Sequence, residues 1–497
     1  MPHNQGARSL AVVTPLGEDV LLLRAMHGRE RLSTLFAYQL DLISEEGDIK
    51  HQDLLGQPVT VQLELPDDQT RYFNGIVSRF SHTGFDGKIA VYQATLVPWL
   101  WLLTRTTDCR IFQGRTVPDI VKEIFREHGH IDFQEYLIPE LYLPRSYCVQ
   151  YRETDFAFIS RLLEREGIYY YFTHENGKHT LILADNYGAH DPIPGYEEIP
   201  YYPPDETALR ERDHIDHWTV AGSVRSGVFV HTDFDDTAPR KNLLTSRHHP
   251  HEHARWDLER YDYPGGYTDH DTGDQWVRAR IEELHVDYET VQGAGNACGL
   301  ATGARFTLTG YPRRDQNREY LIVSAKYQLQ SDAFGSAGVV GTLDAAATAP
   351  LFHCTFTALD AKTPFRPPRI TPPAQVRGPQ TAIVVGPAGQ EIWTDKYGRV
   401  KVQFHWDRYG QSDEKNSCWV RVSQPWAGKG WGTVAIPRIG QEVIVDFLEG
   451  DPDRPIITGR VIVLMVVVLN LLGSIGTDGT LSRADSEHSI LSAASRA

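Results

Sequence analysis

A chain of 497 residues is long enough for about three domains and can bury large cores without disulfide staples. Its formal net charge of −16 argues against non-specific nucleic-acid binding and favours solubility. Plentiful Gly (41), Pro (29) and Tyr (23) beside three Met favour turns and β-structure over helical bundles.

The N-terminal MPHNQGARSL has no apolar core region, so no ordinary signal peptide is expected, and export would need another route. In LFAYQLDLI, Phe36, Tyr38, Leu40 and Leu42 share one face; in VTVQLEL, Val59, Val61, Leu63 and Leu65 do. This alternation predicts half-buried strands, continued by RYFNGIVSRFSH and KIAVYQATLVP up to about Pro98. Helix signals follow. Thr116 can cap, Pro118 and Asp119 suit the first turn, and Val117, Ile120, Val121, Ile124 and Phe125 form a stripe closed by Gly129. A second helix has Thr154 as its cap, Phe158, Ile159, Leu162 and Leu163 as its stripe and Gly167 at its end. Asn176-Gly177 predicts a hairpin turn. Residues 200–350 read mostly as strands, with one helix near 274–284 and paired strands in 306–330. The segment 364–379 carries six prolines in sixteen residues and reads as a linker. Beyond it, RVKVQFHWD, SCWVRVSQPW, WGTVAIPRIG, EVIVDFLEG and RPIITGRV predict a small Greek-key barrel of the OB type. Val400, Val402, Phe404 and Trp406 are expected on its core face and His405 on the opposite one. The five cysteines, Cys109, Cys148, Cys298, Cys354 and Cys418, are scattered and form no C-x-x-C, which fits a reducing compartment.

The segments TDFAFISRLLEREGIYYYF, ERYDYPGGY, DKYGRVKVQFHWDRYG, WVRVSQPWAGKGWG and PRIGQEVIVDFLEGDPDRPIITGRV together resemble the VgrG family, the spike-tip proteins of type VI secretion systems, similar to contractile phage tail hubs and spikes. The resemblance covers most of residues 8–461. It implies a mainly β fold with α insertions: a phage-hub-like region over 8–363 with two β-barrel-like domains, the linker 364–379 and an OB-like domain over 380–461. It also implies a homotrimer that docks on the Hcp tube ring and baseplate components. A needle then carries a PAAR-repeat tip protein with effectors or adaptors, and the assembly stays cytoplasmic until firing secretes it. Here, Val461–Leu472 is apolar at eleven of twelve positions, and no needle repeat follows before residue 497. Twelve helical residues cover about 18 Å against a bilayer core of about 30 Å, so no stable membrane anchor is expected. The segment 462–497 reads as an atypical tail, lost or out of frame, that adds nothing to the fold before it.

Three groups of residues raise other functions. His249, His251 and His253 in SRHHPHEHARW would share a face in an extended chain and could ligate a metal. A solvent-facing polar loop interrupted by Pro250 is the preferred reading, with no metal or cofactor expected. Asp155, Glu164 and Glu166 could serve acid–base chemistry. Glu164 and Glu166 at a helix end read instead as exposed charges, and no G-x-S-x-G, H-E-x-x-H or phosphate loop appears. Trp393, Trp406, Trp419, Trp426 and Trp431 could stack bases. However, residues 375–460 hold 11 Lys/Arg against 10 Asp/Glu, so core and inter-subunit packing is the preferred reading. The expected function is a structural, non-enzymatic spike component with no catalytic residues. The alternatives are a phage-derived tail hub, an effector-bearing spike with enzymatic activity, and a carbohydrate-binding OB protein.

Overall fold

The computed structural model describes residue 5 and residues 9–65, 69–204, 213–251, 253–331, 351–429 and 431–461. The predicted tail, 462–497, lies outside the described residues. The described residues form two compact units, one within 1–107, 116–143 and 154–372 and the other within 108–115, 144–153 and 373–461.

The first unit is organised on a sheet with twelve described strands. Its spatial order runs Leu10–Val13, Pro58–Glu64, Thr70–Asp86, Ile89–Val97, Ala37–Ser44, Leu22–Arg31, Glu319–Gln330, Phe352–Asp360, Glu289–Gly295 and Ile215–Gly222, with Arg305–Thr309 and Glu198–Pro200 branching from it. The join between its N-terminal and C-terminal strands is the antiparallel pair of Leu22–Arg31 with Glu319–Gln330, in which Arg29 stands opposite Lys326. The predicted faces hold: Phe36, Tyr38, Leu40 and Leu42 are buried, as are Val59, Val61, Leu63 and Leu65. Side chains alternate across a strand, so one slip of register would turn both sets to water.

Three α-helices are present among the described residues. Helix α1, Val117–Glu127, starts where the Thr116 hydroxyl accepts the Asp119 N–H, and buries its predicted stripe. It ends in a Schellman motif: Gly129 takes φ +74°, the His130 N–H donates to Phe125 and the Gly129 N–H to Arg126. Helix α2, Asp155–Glu166, is capped by Thr154, which accepts the Ala157 N–H, and ends at left-handed Gly167. Helix α3, His270–His285, begins four residues before the expected start, because the Asp269 carboxylate caps it by accepting the Thr272 N–H at 2.8 Å. The Asn176-Gly177 turn joins Tyr169–Glu175 to Lys178–Ala184, with Glu175 opposite Lys178.

The second unit is a five-stranded sheet in the order Lys401–Phe404, Gln380–Val385, Glu442–Phe447, Pro455–Arg460, Arg421–Val422. Val376, Ala382, Val384, Val400, Val402, Phe404, Val420, Val443, Val445, Phe447 and Ile457 form its core. Ile111 and Tyr151 also pack on this core, from the pair Thr107–Phe112 and Cys148–Thr154. Val461 continues the last strand by one bond, its N–H donating to Glu442.

Candidate functional site

The carboxylates with catalytic potential are engaged in holding the fold. Glu164 and Glu166 are not exposed charges: they are 8% and 9% exposed. Glu164 accepts the N–H groups of Ile370 and Thr371 at 3.1 and 3.0 Å and the Thr371 hydroxyl at 2.6 Å. Glu166 accepts the Trp276 indole N–H at 2.9 Å. Both face inward because α2 packs on α1 and α3, so its last turn has no solvent side for them. Buried Asp155 accepts the Thr106 hydroxyl at 2.6 Å and lies 2.9 Å from His128 Nε2. The same logic ties down the proline-rich segment up to residue 371. Arg366 donates to Glu282 at 2.7 Å and to the carbonyls of Gly167 and Asp185 at 3.0 and 2.9 Å, and the Arg369 N–H donates to Glu283 at 2.9 Å.

A buried polar group that the sequence does not announce lies inside the first unit. Glu30 accepts from Tyr38 and, at 2.9 Å, from Tyr327, while the Arg71 guanidinium stacks 4.6 Å from Phe73 and 4.9 Å from Tyr327. Burial raises the Glu30 carboxyl above the usual carboxylate range, opposed by the Tyr38 hydroxyl and the charge of Arg71. Tyr38 and Tyr327 thus share one buried carboxylate as a cross-brace between strands, while Arg71 donates to the carbonyls of Cys298 and Leu300.

The tryptophans of the second unit divide into three environments. Trp406 is half-buried in a turn just beyond the strand expected to carry it; its ring stacks on Phe404 at 5.0 Å, meets Tyr151 edge-on and donates to Gln380 at 3.0 Å. His405 is exposed. Trp393 and Trp419 pair at 4.5 Å beneath the Lys401 ammonium. Of the expected core and inter-subunit packing, Trp426 and Trp431 show no core packing within their own chain. They sit on the short hairpin Trp426–Gly428 and Trp431–Thr433, in contact with one another at 5.7 Å, and are 66% and 59% exposed. Val434 follows at 71% exposed. The register, Trp426 opposite Thr433 and Gly428 opposite Trp431, sets both rings on the same face of the hairpin. Grouped exposed aromatics of this kind are the usual material of interaction surfaces in general.

His249, His251 and His253 stand together, as an extended chain would place them, and meet His285 at the end of α3. His249 is exposed, His251 and His253 are half-buried and His285 is buried, so the segment does not face solvent throughout. Among the described residues no helix is long and apolar enough to cross a membrane.

The profile of the phage tail baseplate hub (GPD) family matches residues 29–333, and that of the type VI secretion system/phage-baseplate injector OB domain matches residues 390–461. The chain is 52% identical over 457 residues to the type VI secretion system spike protein VgrG1b of Pseudomonas aeruginosa, a match covering 92% of this chain and 60% of that protein. It is 52% identical over 459 residues to VgrG1a of the same organism, covering 92% and 70% respectively. The actin cross-linking toxin VgrG1 of Vibrio cholerae is 34% identical over 459 residues, covering 90% of this chain and 41% of the toxin. The chain therefore spans well under the full length of VgrG1b and of the toxin. Among solved structures, the E. coli c3393 protein superposes with a TM-score of 0.63 at 21% identity, covering 90% of this chain and 99% of that one. It is described as a type VI secretion component with structural similarity to the T4 bacteriophage tail proteins gp27 and gp5, and the likeness concerns the fold.

Proposed function

The chain belongs to the VgrG family of type VI secretion spike proteins, and from that premise we propose that it acts mechanically, as a homotrimeric hub and OB base of a secretion spike. Three OB units would cover one another's hairpins at Trp426, Trp431 and Val434. That exposed aromatic hairpin is the observation carrying the reading, since a lone chain leaves it in water at a cost in apolar surface. The first unit would dock on the Hcp tube ring and the baseplate, and effectors or adaptors, with a PAAR-repeat tip protein, would travel with the spike. The protein would wait in the cytoplasm and leave through the secretion machinery itself.

Residues 9–461 would serve this role without catalysis. Asp155, Glu164 and Glu166 are each occupied by hydrogen bonds that hold the fold. An enzymatic activity like the one in the name of the Vibrio relative would belong to the part of that protein this chain does not match. Co-sedimentation of the full chain with assembled Hcp tubes tests the docking. The chain is expected in the tube pellet at a low, end-limited stoichiometry. Its absence from the pellet with tubes intact would overturn the hub assignment. A phage-derived tail hub would bind only its own tail-tube protein in the same assay.

A further inference from the structure

Two histidines seat the hairpin of Tyr169–Glu175 and Lys178–Ala184 on the large sheet of the first unit, and the secretion role makes no use of them. Both meet Asn74, which is 1% exposed on the strand Thr70–Asp86. Buried His179 places Nδ1 2.7 Å from the Asn74 amide oxygen, and its Nε2 accepts the Trp99 N–H at 2.8 Å. A backbone N–H only donates, so Nε2 presents its lone pair and Nδ1 carries the proton. The Asn74 amide nitrogen donates to the Thr60 hydroxyl at 2.8 Å, and that hydroxyl accepts the Gly177 N–H of the hairpin turn at 3.1 Å. His174 Nδ1 accepts the Asn74 N–H at 3.2 Å, so its proton sits on Nε2, 3.0 Å from the Tyr38 hydroxyl that donates to Glu30. The Phe36 ring meets both imidazoles edge-on. Each imidazole therefore holds its place as a neutral acceptor of a backbone N–H, and a proton added at the accepting nitrogen sets two donors face to face.

We propose that His174 and His179 form an acid-released latch: the hairpin is locked to the sheet at neutral pH and undocks locally in an acidified compartment, before the rest of the chain unfolds. The surrounding groups set the sign. Burial, with His174 and His130 beside it, brings His179 from 6.5 down to about 3, against the pull of Asp132. Burial and the charge of Arg71 bring His174 down to about 3, against its backbone bond with Asn74. An undocked hairpin returns both rings to ordinary histidine behaviour, so below pH 6.5 the open form takes up protons that the closed form refuses. Each histidine freed in this way raises the open population about thirtyfold between pH 7.5 and pH 5. Two groups near His174 oppose release. The Asn74 carbonyl, 3.1 Å from Nδ1, can accept from a protonated ring, and Glu30, raised by burial and 3.9 Å from Nε2, gains its own proton more readily in the closed form. No such acceptor stands at His179 Nε2 among the described residues, so His179 carries the larger share.

Hydrogen exchange of the full chain at pH 7.5 and pH 5, resolved to single amides by mass spectrometry and corrected for the chemical exchange rate, reads the latch at its own bonds, the Trp99 and Asn74 amides. Protection of the Trp99 amide should fall at least about thirtyfold on going to pH 5, while the Val443 and Val445 amides of the OB unit change less than about threefold. In His174→Gln/His179→Gln, whose side chains do not titrate, the fall at Trp99 should shrink below about threefold. His217→Gln, at an exposed strand position, should keep it in full. A wild-type fall at Trp99 below about threefold, an equal fall at Val443 and Val445, or a full fall retained in the double variant would each overturn the latch. The wild-type comparison decides the matter alone if the double variant fails to fold. None of these results depends on Hcp docking.

Discussion

Replacing Glu164 by alanine removes the anchor of the strap that follows Arg366. Three donors on Ile370 and Thr371 lose their acceptor together. Each hydrogen bond to a charged group contributes about 1.5–3 kcal/mol, but the three share one carboxylate and are not additive. Ile370 is 70% exposed, so water can reach the freed backbone and offset part of the loss. A net cost of about 3 kcal/mol to the closed strap follows, which raises its open population roughly a hundredfold. The Arg369–Ile370 bond reports this directly: trypsin can cut there once the strap opens, whereas Arg366 precedes a proline. Cleavage tracks the open population when closing is fast. Trypsin should therefore cut Glu164→Ala at Arg369 about a hundred times faster than wild type, and Glu164→Gln, which keeps one acceptor, about tenfold faster. Glu175→Ala, on an exposed strand end, serves as the control. A Glu164→Ala rate within about threefold of wild type would refute the anchoring argument.

Trp406→Ala should destabilise the OB unit by about 2–4 kcal/mol, below the figure for a fully buried Trp because the ring is half-buried. His405→Ala should cost under about 1 kcal/mol; equal sensitivity in denaturant titrations would show the packing to be wrong. Acid should weaken the first unit through His179, whose Nε2 accepts the Trp99 N–H at 2.8 Å while Nδ1 contacts the Asn74 amide oxygen at 2.7 Å. Burial, helped by His174, lowers its pKa from 6.5 to about 3. The unfolded chain takes up this proton first, so the stability is complete above 6.5 and is lost as pH falls toward about 3, roughly 2 kcal/mol being gone by pH 5. Thermal melts at pH 7.5 and pH 5 should show a larger drop for wild type than for His179→Gln, and equal drops would count against it.

Much of this fold was legible because its signals are local. Alternation places Val59, Val61 and Leu63 inward, and Thr116, Thr154 and Gly167 punctuate helices through bonds within a few residues. Glu164 was misread because its partners lie 206 and 207 residues away, and a helical face alone does not reveal a second layer above it. For Trp426 and Trp431 the sequence leaves core and inter-subunit packing both open, and nothing local shows that a hairpin of two three-residue strands holds them off the core of their own chain. Ile111 and Tyr151 carry no local mark of the core they serve. The histidine run was visible, but His285 joins it only once α3 has formed.

The proposed role requires a trimer closed through the OB hairpins. Light scattering of the purified full chain measures it directly. The expected mass is about three times the 56.2 kDa of one chain, falling toward the single-chain mass in Trp426→Asp/Trp431→Asp with both units still folded. A wild-type protein that stays at 56.2 kDa at micromolar concentration would contradict the trimer.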